Sequence, residues 1–234
     1  MLDYLRWVLY NIFMLYLLNS SFTGGQIVAM VLAFILAICV GMTAHEYAHA
    51  RTALKRGDDT AKLAGRLTLN PVAHISGFGL FCFVLFGFGW AKPVPINPSK
   101  FRNYKKDATW VLLSGVLTNF LLALVFSCLL FFVGPLLLAS ENLLLFFLYG
   151  FLQYGFLLNL ALAVFNLLPV PPLDGFGIIE VWTKYGNKFV QFMKQYGIIF
   201  LIIFILPLVN GQSLLSLFYS TFQYLFMLLW GLFV

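Results

Sequence analysis

The residues best suited to catalysis lie in the stretch 43–50, which reads Thr-Ala-His-Glu-Tyr-Ala-His-Ala at the end of an apolar run. In an α-helix, residues four apart share one face, so His45 and His49 could offer two ring nitrogens to one metal ion. Glu46 lies about 100° round such a helix, near enough to reach a water on that metal. The pattern His-Glu-x-x-His is typical of zinc hydrolases, in which the glutamate is the general base.

Chance is the alternative explanation for this motif, because a short pattern recurs and a single helical histidine usually has a structural role. Against chance, ionisable side chains inside an apolar span are costly and are by default functional. The sequence therefore predicts that His45 and His49 bind a metal ion and that Glu46 acts beside it.

The composition places this motif in a membrane protein. Of the 234 residues, 62% are hydrophobic and only 9% are charged, whereas an ordinary soluble domain carries about 25% charged residues. The apolar runs do not alternate as the lipid-facing strands of a barrel would. The predicted fold class is an all-α polytopic membrane protein, surrounded by membrane lipids, with about five to six transmembrane helices.

The net charge of +6 raises the question of nucleic-acid binding. However, the basic residues lie in the N-terminal tail and in three regions between apolar runs: 51–66, 92–106 and 184–194. By the positive-inside rule these regions face the cytoplasm, where they anchor the chain at an anionic leaflet. We therefore expect no nucleic-acid partner.

The apolar runs divide a single membrane domain, 1–234, into predicted elements. The predicted spans are 7–23 (a short retained span, with a signal peptide as the alternative), 26–50, 108–133 and 143–168, followed by a C-terminal helical hairpin, 197–233. The catalytic core is expected at about 26–185. Gly65–Pro71 is interpreted as a short strand and turn.

The apolar, glycine-rich segment 75–91 does not fit this simple order, because basic regions flank it on both sides. A single complete crossing would place one basic region on the wrong side of the membrane. A re-entrant segment avoids the conflict and is tolerated where protein or water covers its backbone. The sequence favours the re-entrant interpretation, with a short true span as the alternative.

A catalytic zinc site usually has three protein ligands and a water, so two histidines leave one ligand to be found. The candidates are His74, Glu141, Asp174 and Glu180. Asp174 is the best placed, because the prolines between 169 and 172 end the preceding helix and leave irregular backbone of the kind found beside a cavity. The alternative for Asp174 is a surface Asp-Gly turn. His74 is expected to be structural, or to gate the site, rather than to bind metal.

Taken together, these motifs resemble the site-2 protease family of intramembrane zinc metalloproteases. The resemblance covers about residues 30–185 and rests on three motifs: His45–His49, Ser114–Asn119 and Asn166–Gly175. Two further stretches, Leu63–Ile75 and Gly89–Pro95, are similar to the short bacterial branch that lacks a PDZ or CBS domain.

This resemblance implies a site and a reaction. One zinc ion per chain would be held by His45, His49 and Asp174, with Glu46 as the base. Asn166 would be an oxyanion donor near the scissile carbonyl, its alternative role being to bond its own helix end. The implied substrates are single-span membrane proteins, cut in or near their transmembrane helices in regulated intramembrane proteolysis. The implied location is the bacterial inner membrane, with the active site toward the cytoplasmic side.

Two positions depart from the family pattern. Val116 stands where the family usually has proline, and Phe176 stands where it often has a second glycine. Neither is an expected ligand, but Phe176 could narrow the approach of a substrate.

Two other classes of protein compete with a protease. A di-iron membrane hydroxylase needs many histidines, and the three in this chain exclude it. A metal transporter or a non-catalytic metal-binding scaffold would keep the ligands without needing Glu46, so the glutamate favours an enzyme. The sequence makes no prediction of oligomeric state or of substrate identity.

Overall fold

The computed structural model describes residues 21–86, 89–139, 141–209 and 212–231. Its elements in chain order are α1 (Gly24–Lys55), α2 (Thr60–Leu63), α3 (Pro71–His74), α4 (Gly77–Phe86), a 3-10 turn (Pro98–Lys100), α5 (Tyr104–Leu138), α6 (Leu143–Asn166), α7 (Asp174–Trp182), α8 (Lys188–Ile205), β1 (Pro207–Val209), β2 (Gln212–Ser213) and α9 (Leu214–Gly231). The prediction of a mostly helical chain is confirmed. The predicted span 7–23 lies outside the described residues, apart from its last three positions.

Three of the described helices, α1, α5 and α6, are long and apolar enough to cross a membrane. They contain most of the predicted spans 26–50, 108–133 and 143–168. Because about 20 helical residues cross the hydrocarbon layer, α1 with 32 residues and α5 with 35 must project beyond it. The predicted total of five to six spans is not confirmed.

Side-chain caps set where these long helices begin. At α1, Thr23 Oγ1 accepts from the Gln26 N–H (3.4 Å) while Gln26 Oε1 accepts from the Thr23 N–H (2.9 Å), which is a capping box. At the start of α5, Asp107 Oδ2 accepts from the Asn103 N–H, and Asn103 Oδ1 accepts from the Lys106 N–H. At α6, Asn142 Oδ1 accepts from two backbone N–H groups. Each cap satisfies backbone N–H groups that would otherwise lack a partner at the start of the helix.

The two ends of the segment 75–91 lie beside each other. Ile75 and Ala91 form an antiparallel bridge, and the Lys92 N–H donates to the His74 carbonyl at 2.6 Å. Between them, α4 has 10 residues, a rise of about 15 Å against a hydrocarbon layer of about 30 Å. The backbones approach so closely that a Cβ on Gly79 would lie 2.1 Å from the Trp90 carbonyl oxygen. The two ends of the segment therefore lie together, which is the geometry of a re-entrant element, and the placement of the segment in the membrane stays a prediction.

The predicted strand at Gly65–Pro71 is wrong. The chain turns at Ala64–Gly65, and the described residues from Arg66 to Asn70 are not part of a strand. Asn70 instead begins α3, because its Oδ1 accepts from the Val72 N–H at 3.0 Å.

The described chain separates into two compact units. The first contains residues up to Thr43, Asn70–Pro93 and Leu121–Asn159. Its helices meet through aromatic edges and glycines: Phe34 packs edge-on against Tyr154 with ring centres 5.4 Å apart, and Phe126 packs in the same way against Phe151. This unit carries most of the apolar length of α1, α5 and α6.

The second unit contains Ala44–Leu69, Val94–Phe120 and the residues from Leu160 onward. Its main hydrophobic cluster consists of Leu168, Val170, Leu173, Phe176, Val190, Met193 and Leu201. The cluster packs α7 and α8 around the turn that follows α6. It therefore supports the backbone from which Asp174 projects.

The predicted helical hairpin at 197–233 is present as α8 and α9. A short antiparallel pair, β1 and β2, joins the two helices, with Pro207 opposite Ser213 and Val209 opposite Gln212. The sequence predicted the turn but not the two strands.

Candidate metal centre

His45 and His49 lie one turn apart on α1 and face the same way. Their Nε2 atoms are 2.9 Å apart, and the two rings meet edge to face with centres 4.5 Å apart. Both side chains are buried. The helical spacing in the sequence therefore produces two converging nitrogens, as predicted.

Asp174 arrives at the same point from the start of α7. Its Oδ2 lies 3.3 Å from the Nε2 of His45 and 3.3 Å from the Nε2 of His49. These three residues form a group whose ligand atoms all lie within 4.8 Å of one another. In the described part of the chain, the group contains neither His74, Glu141 nor Glu180.

The outer nitrogens of both histidines are hydrogen-bonded to acceptors. His45 Nδ1 lies 2.6 Å from Asn119 Oδ1, and His49 Nδ1 lies 2.7 Å from the Val111 carbonyl oxygen. Because each acceptor requires a donor, each Nδ1 carries the proton, which leaves a lone pair on Nε2 in the neutral imidazole. Partners of this kind orient the histidines in metal sites.

In these tautomers the centre brings two nitrogen lone pairs and a carboxylate oxygen to one point. Asp174 Oδ2 is buried, and among the described residues it has no hydrogen-bond partner. Three electron-pair donors at such distances repel one another unless a cation lies between them. Two imidazoles and one carboxylate form a donor set typical of catalytic zinc, which keeps a further position open. The residues present therefore fit a zinc ion.

The charge of Asp174 is consistent with this fit. Burial raises the pKa of its carboxyl, but with no cation in the group, hydrogen bonds from the His45 and His49 side chains and their positive charge lower it by more, so the pKa lies well below its ordinary value. Asp174 is therefore ionised at neutral pH, which a metal ligand requires.

Gly115 makes room for the two imidazoles. A Cβ at this position on α5 would lie 2.6 Å from His45 Cε1 and 2.6 Å from His49 Nε2. Carbon atoms in ordinary contact are separated by about 3.5–4.0 Å. The helix can approach the histidines this closely only because residue 115 has no side chain.

Glu46, the residue after His45, is also buried. Its Oε2 accepts a hydrogen bond from the Val94 N–H at 2.8 Å. The backbone of the extended segment before the 3-10 turn therefore holds one oxygen of this carboxylate. Its other oxygen makes no hydrogen bond within the described chain, which leaves it available to accept a proton.

The segment that holds Glu46 is itself anchored by Asp58. This fully buried carboxylate accepts from the Asn97 N–H at 2.6 Å and from the Thr60 N–H and hydroxyl at 3.0 and 2.5 Å. Val94 is buried against Ala50 and Ala61 on the same side. Asp58 therefore anchors this segment, and the Val94 amide of the same segment holds Glu46.

The structure also places the other residues that the sequence singled out: Asn166, His74, Glu180 and Phe176. Asn166 is the last residue of α6, and its Nδ2 donates to the Leu162 carbonyl at 3.0 Å, the helix-end role given as the alternative. Its assignment as an oxyanion donor stays a prediction. His74 is fully buried at the end of α3. Glu180 pairs with Lys194, and Phe176 is buried in the main hydrophobic cluster rather than exposed at an approach to the site.

Sequence reasoning gave no role to several residues that shape the centre. Gly115 and Asn119 belong to the Ser114–Asn119 motif, but the sequence alone gave them no separate role. Their spacing of four places them on one face of an apolar helix, which was the available signal. Asp58 stands in the sequence Gly57-Asp58-Asp59, which indicates only a turn, and no signal identifies the Val94 and Val111 backbone groups as partners of the site.

The fold and the site together define a class: a membrane protein with a buried zinc-hydrolase type of centre. Comparison with known proteins gives the family. The model of peptidase family M50 matches residues 133–209, a range that begins beyond the His-Glu-x-x-His motif. No solved structure matches the chain.

Relatives extend this match over most of the chain. "Putative zinc metalloprotease YwhC" of Bacillus subtilis is 39% identical over 205 residues, which cover 81% of this chain and 92% of that protein. "Putative zinc metalloprotease Rip2" of Mycobacterium tuberculosis is 29% identical over 199 residues, 80% of this chain and 71% of its own length. "Putative zinc metalloprotease MJ0611" of Methanocaldococcus jannaschii is 29% identical over 177 residues, 74% of this chain and 84% of that protein. The chain therefore belongs to the M50, or site-2 protease, family of metalloproteases.

Proposed function

We propose that this chain is a zinc-dependent intramembrane protease that hydrolyses peptide bonds in or near the transmembrane helices of single-span membrane proteins. Such cleavage would serve regulated intramembrane proteolysis. The observation that carries the proposal is the convergence of His45 Nε2, His49 Nε2 and Asp174 Oδ2 on one point. Three apolar helices and the family support the membrane setting.

One zinc ion per chain would be held by these three atoms. When bound, zinc polarises a carbonyl and lowers the pKa of a water ligand to about 7. His45 and His49 present their lone pairs because Asn119 and the Val111 carbonyl hold the opposite nitrogens.

Glu46 supplies the proton transfer. Its Oε2 is held by the Val94 amide, so Oε1 is positioned to take a proton from the attacking water and return it to the leaving nitrogen. The burial of the carboxylate keeps bulk water away and strengthens its interaction with the reacting atoms. Asn166 is proposed to donate its second amide hydrogen to the oxyanion.

The orientation follows from the charge pattern. We place the basic regions 51–66, 92–106 and 184–194 on the cytoplasmic side of a bacterial inner membrane, with the chain crossing several times. His49 lies six residues before Lys55, the last residue of α1, a rise of about 9 Å. The active site would therefore lie close to the cytoplasmic surface.

Reconstituted protein tests this function. The chain is placed in phospholipid vesicles with a single-span substrate, and cleavage is followed after metal removal by a chelator and after readdition of zinc. We expect cleavage to stop and then return, and Asp174→Asn to be inactive under all conditions. Zinc flux across the vesicle without cleavage would instead support a transporter. Zinc binding with neither activity would support a scaffold.

A further inference from the structure

A second polar site lies away from the metal centre, at the other end of α7. A cavity of about 440 Å³ opens between the first turn of α5, the loop after α7 and the first turns of α8. Its polar lining includes Lys105, Glu180, Lys184, Tyr185, Asn187 and Lys194. Three lysines and a single glutamate give the cavity a positive charge.

The lysines are only partly neutralised within the described chain. Glu180 Oε1 pairs with Lys194 Nζ. Lys105 lies over the ring of Trp182, with its Nζ 5.5 Å from the ring centre, and makes no ion pair. Lys184 is exposed and has no carboxylate partner in the described residues. Two of the lysines that line the cavity therefore have no carboxylate partner in the described chain, as at a site for an anion.

An apolar surface continues from this cavity along α8. Lys194, Ile198 and Ile202 recur every four residues and so lie on one face of the helix. Ile198 is 63% exposed and Ile202 is 49% exposed. From Lys194 to Ile202 the helix rises about 12 Å, enough to pass from a headgroup into the acyl region of a leaflet. A charged pocket at one end and an exposed apolar stripe at the other match the two parts of a phospholipid.

We propose that this cavity binds the phosphate of an anionic phospholipid, whose acyl chains lie along Ile198 and Ile202. Basic pockets beside membrane helices bind lipid headgroups in this way. Two exposed aromatic side chains near the end of α7, Trp182 and the fully exposed Tyr185, suit the boundary between headgroups and acyl chains. A soluble acidic partner would use the lysines but would leave the isoleucine stripe uncovered.

Native mass spectrometry of the intact protein in detergent tests the proposal. Phosphatidylglycerol and phosphatidylcholine of the same chain length are titrated in parallel. We expect phosphatidylglycerol to bind at least fivefold more tightly. Lys184→Gln should weaken its binding about fivefold, because one lysine near an anionic headgroup is lost. Equal binding of the two lipids would overturn the proposal.

Matched variants distinguish lipid binding in this cavity from general attraction of the lipid to the basic surface around it. Lys188→Gln removes an exposed lysine of the same basic region that does not line the cavity, and it should leave binding within twofold. If Lys188→Gln weakens binding as much as Lys184→Gln, the lipid is attracted by the surface as a whole and the assigned cavity is wrong. Thermal unfolding without added lipid shows whether each variant is folded.

A third arm distinguishes a phospholipid from a free phosphate. Ile198→Gln should weaken phosphatidylglycerol binding severalfold, whereas Ile199→Gln, on a different face, should have a smaller effect. Inorganic phosphate at millimolar concentration should not displace the lipid. Full displacement by inorganic phosphate, together with unchanged binding by Ile198→Gln, would show that the cavity takes a free anion and would contradict the lipid assignment.

Discussion

Replacing Gly115 by alanine tests whether the metal centre depends on the close approach of α5. The added Cβ would lie 2.6 Å from His45 Cε1 and 2.6 Å from His49 Nε2. Ordinary contact requires about 3.5–4.0 Å, so the imidazoles or α5 must move by about 1 Å. Zinc ligands tolerate deviations of about 0.2 Å. The required displacement is about five times larger than that tolerance.

The variant should still fold. Overpacking costs about 1–3 kcal/mol, and alanine recovers up to about 1 kcal/mol through its better helix propensity. We therefore expect Gly115→Ala to keep its helical circular dichroism while its zinc affinity and cleavage rate each fall by at least about 100-fold. Zinc is measured by elemental analysis of purified protein and by competition with a chelator.

Gly134→Ala is the matched control, because it makes the same substitution in the same helix. Its Cβ would meet mainly the movable end of Leu130, at 3.3 Å. We expect it to bind zinc and cleave substrate like the parent. Normal zinc affinity and activity in Gly115→Ala would refute the steric account of this site.

Further predictions concern the Asn119 and Asp58 contacts around the centre and the membrane topology. Asn119→Leu removes the acceptor at His45 Nδ1 and should lower zinc affinity about 10–100-fold; an unchanged affinity in chelator competition would contradict this role. Asp58→Ala should destabilise the fold by about 2 kcal/mol and slow cleavage, whereas Asp59→Ala, at an exposed side chain, should do neither. Burial raises the pKa of Asp58, but the Thr60 hydroxyl and the Asn97 and Thr60 amides lower it by more. Its contribution is therefore present above pH about 4 and lost as the pH falls further, which denaturant titrations at several pH values can measure. Cysteine labelling in intact cells should place 100–106 and 184–194 on the same side of the membrane, and labelling from opposite sides would overturn the proposed topology.

The metal-ligand group could be predicted because each of its residues belongs to a recognisable local pattern in the sequence. The spacing of His45 and His49 follows from the helical period, and prolines mark the point where the chain stops being helical before Asp174. The charge asymmetry around 75–91 predicted a re-entrant segment, and the pairing of Ile75 with Ala91 has that geometry.

The supporting contacts could not be predicted, because they join residues that are distant in sequence. Asn119 is 74 residues from His45, and Val94 is 48 residues from Glu46. Backbone groups such as the Val94 amide leave no residue-type signal at all. The strand predicted at Gly65–Pro71 is not formed in the described residues, because strand propensity depends on packing against neighbours more than on the local sequence.

Glu46→Gln tests the central claim most directly, because the amide keeps the size of the side chain but is a poor proton acceptor. Purified Glu46→Gln protein and the parent are compared for zinc content and for cleavage of a single-span substrate in vesicles. Glu141→Gln, at an exposed glutamate outside the group, serves as the control. We expect Glu46→Gln to retain one zinc per chain and to lose at least about 100-fold in rate, while Glu141→Gln keeps both. Full cleavage by Glu46→Gln would contradict the assignment of this residue as the base and, with it, the proposed mechanism.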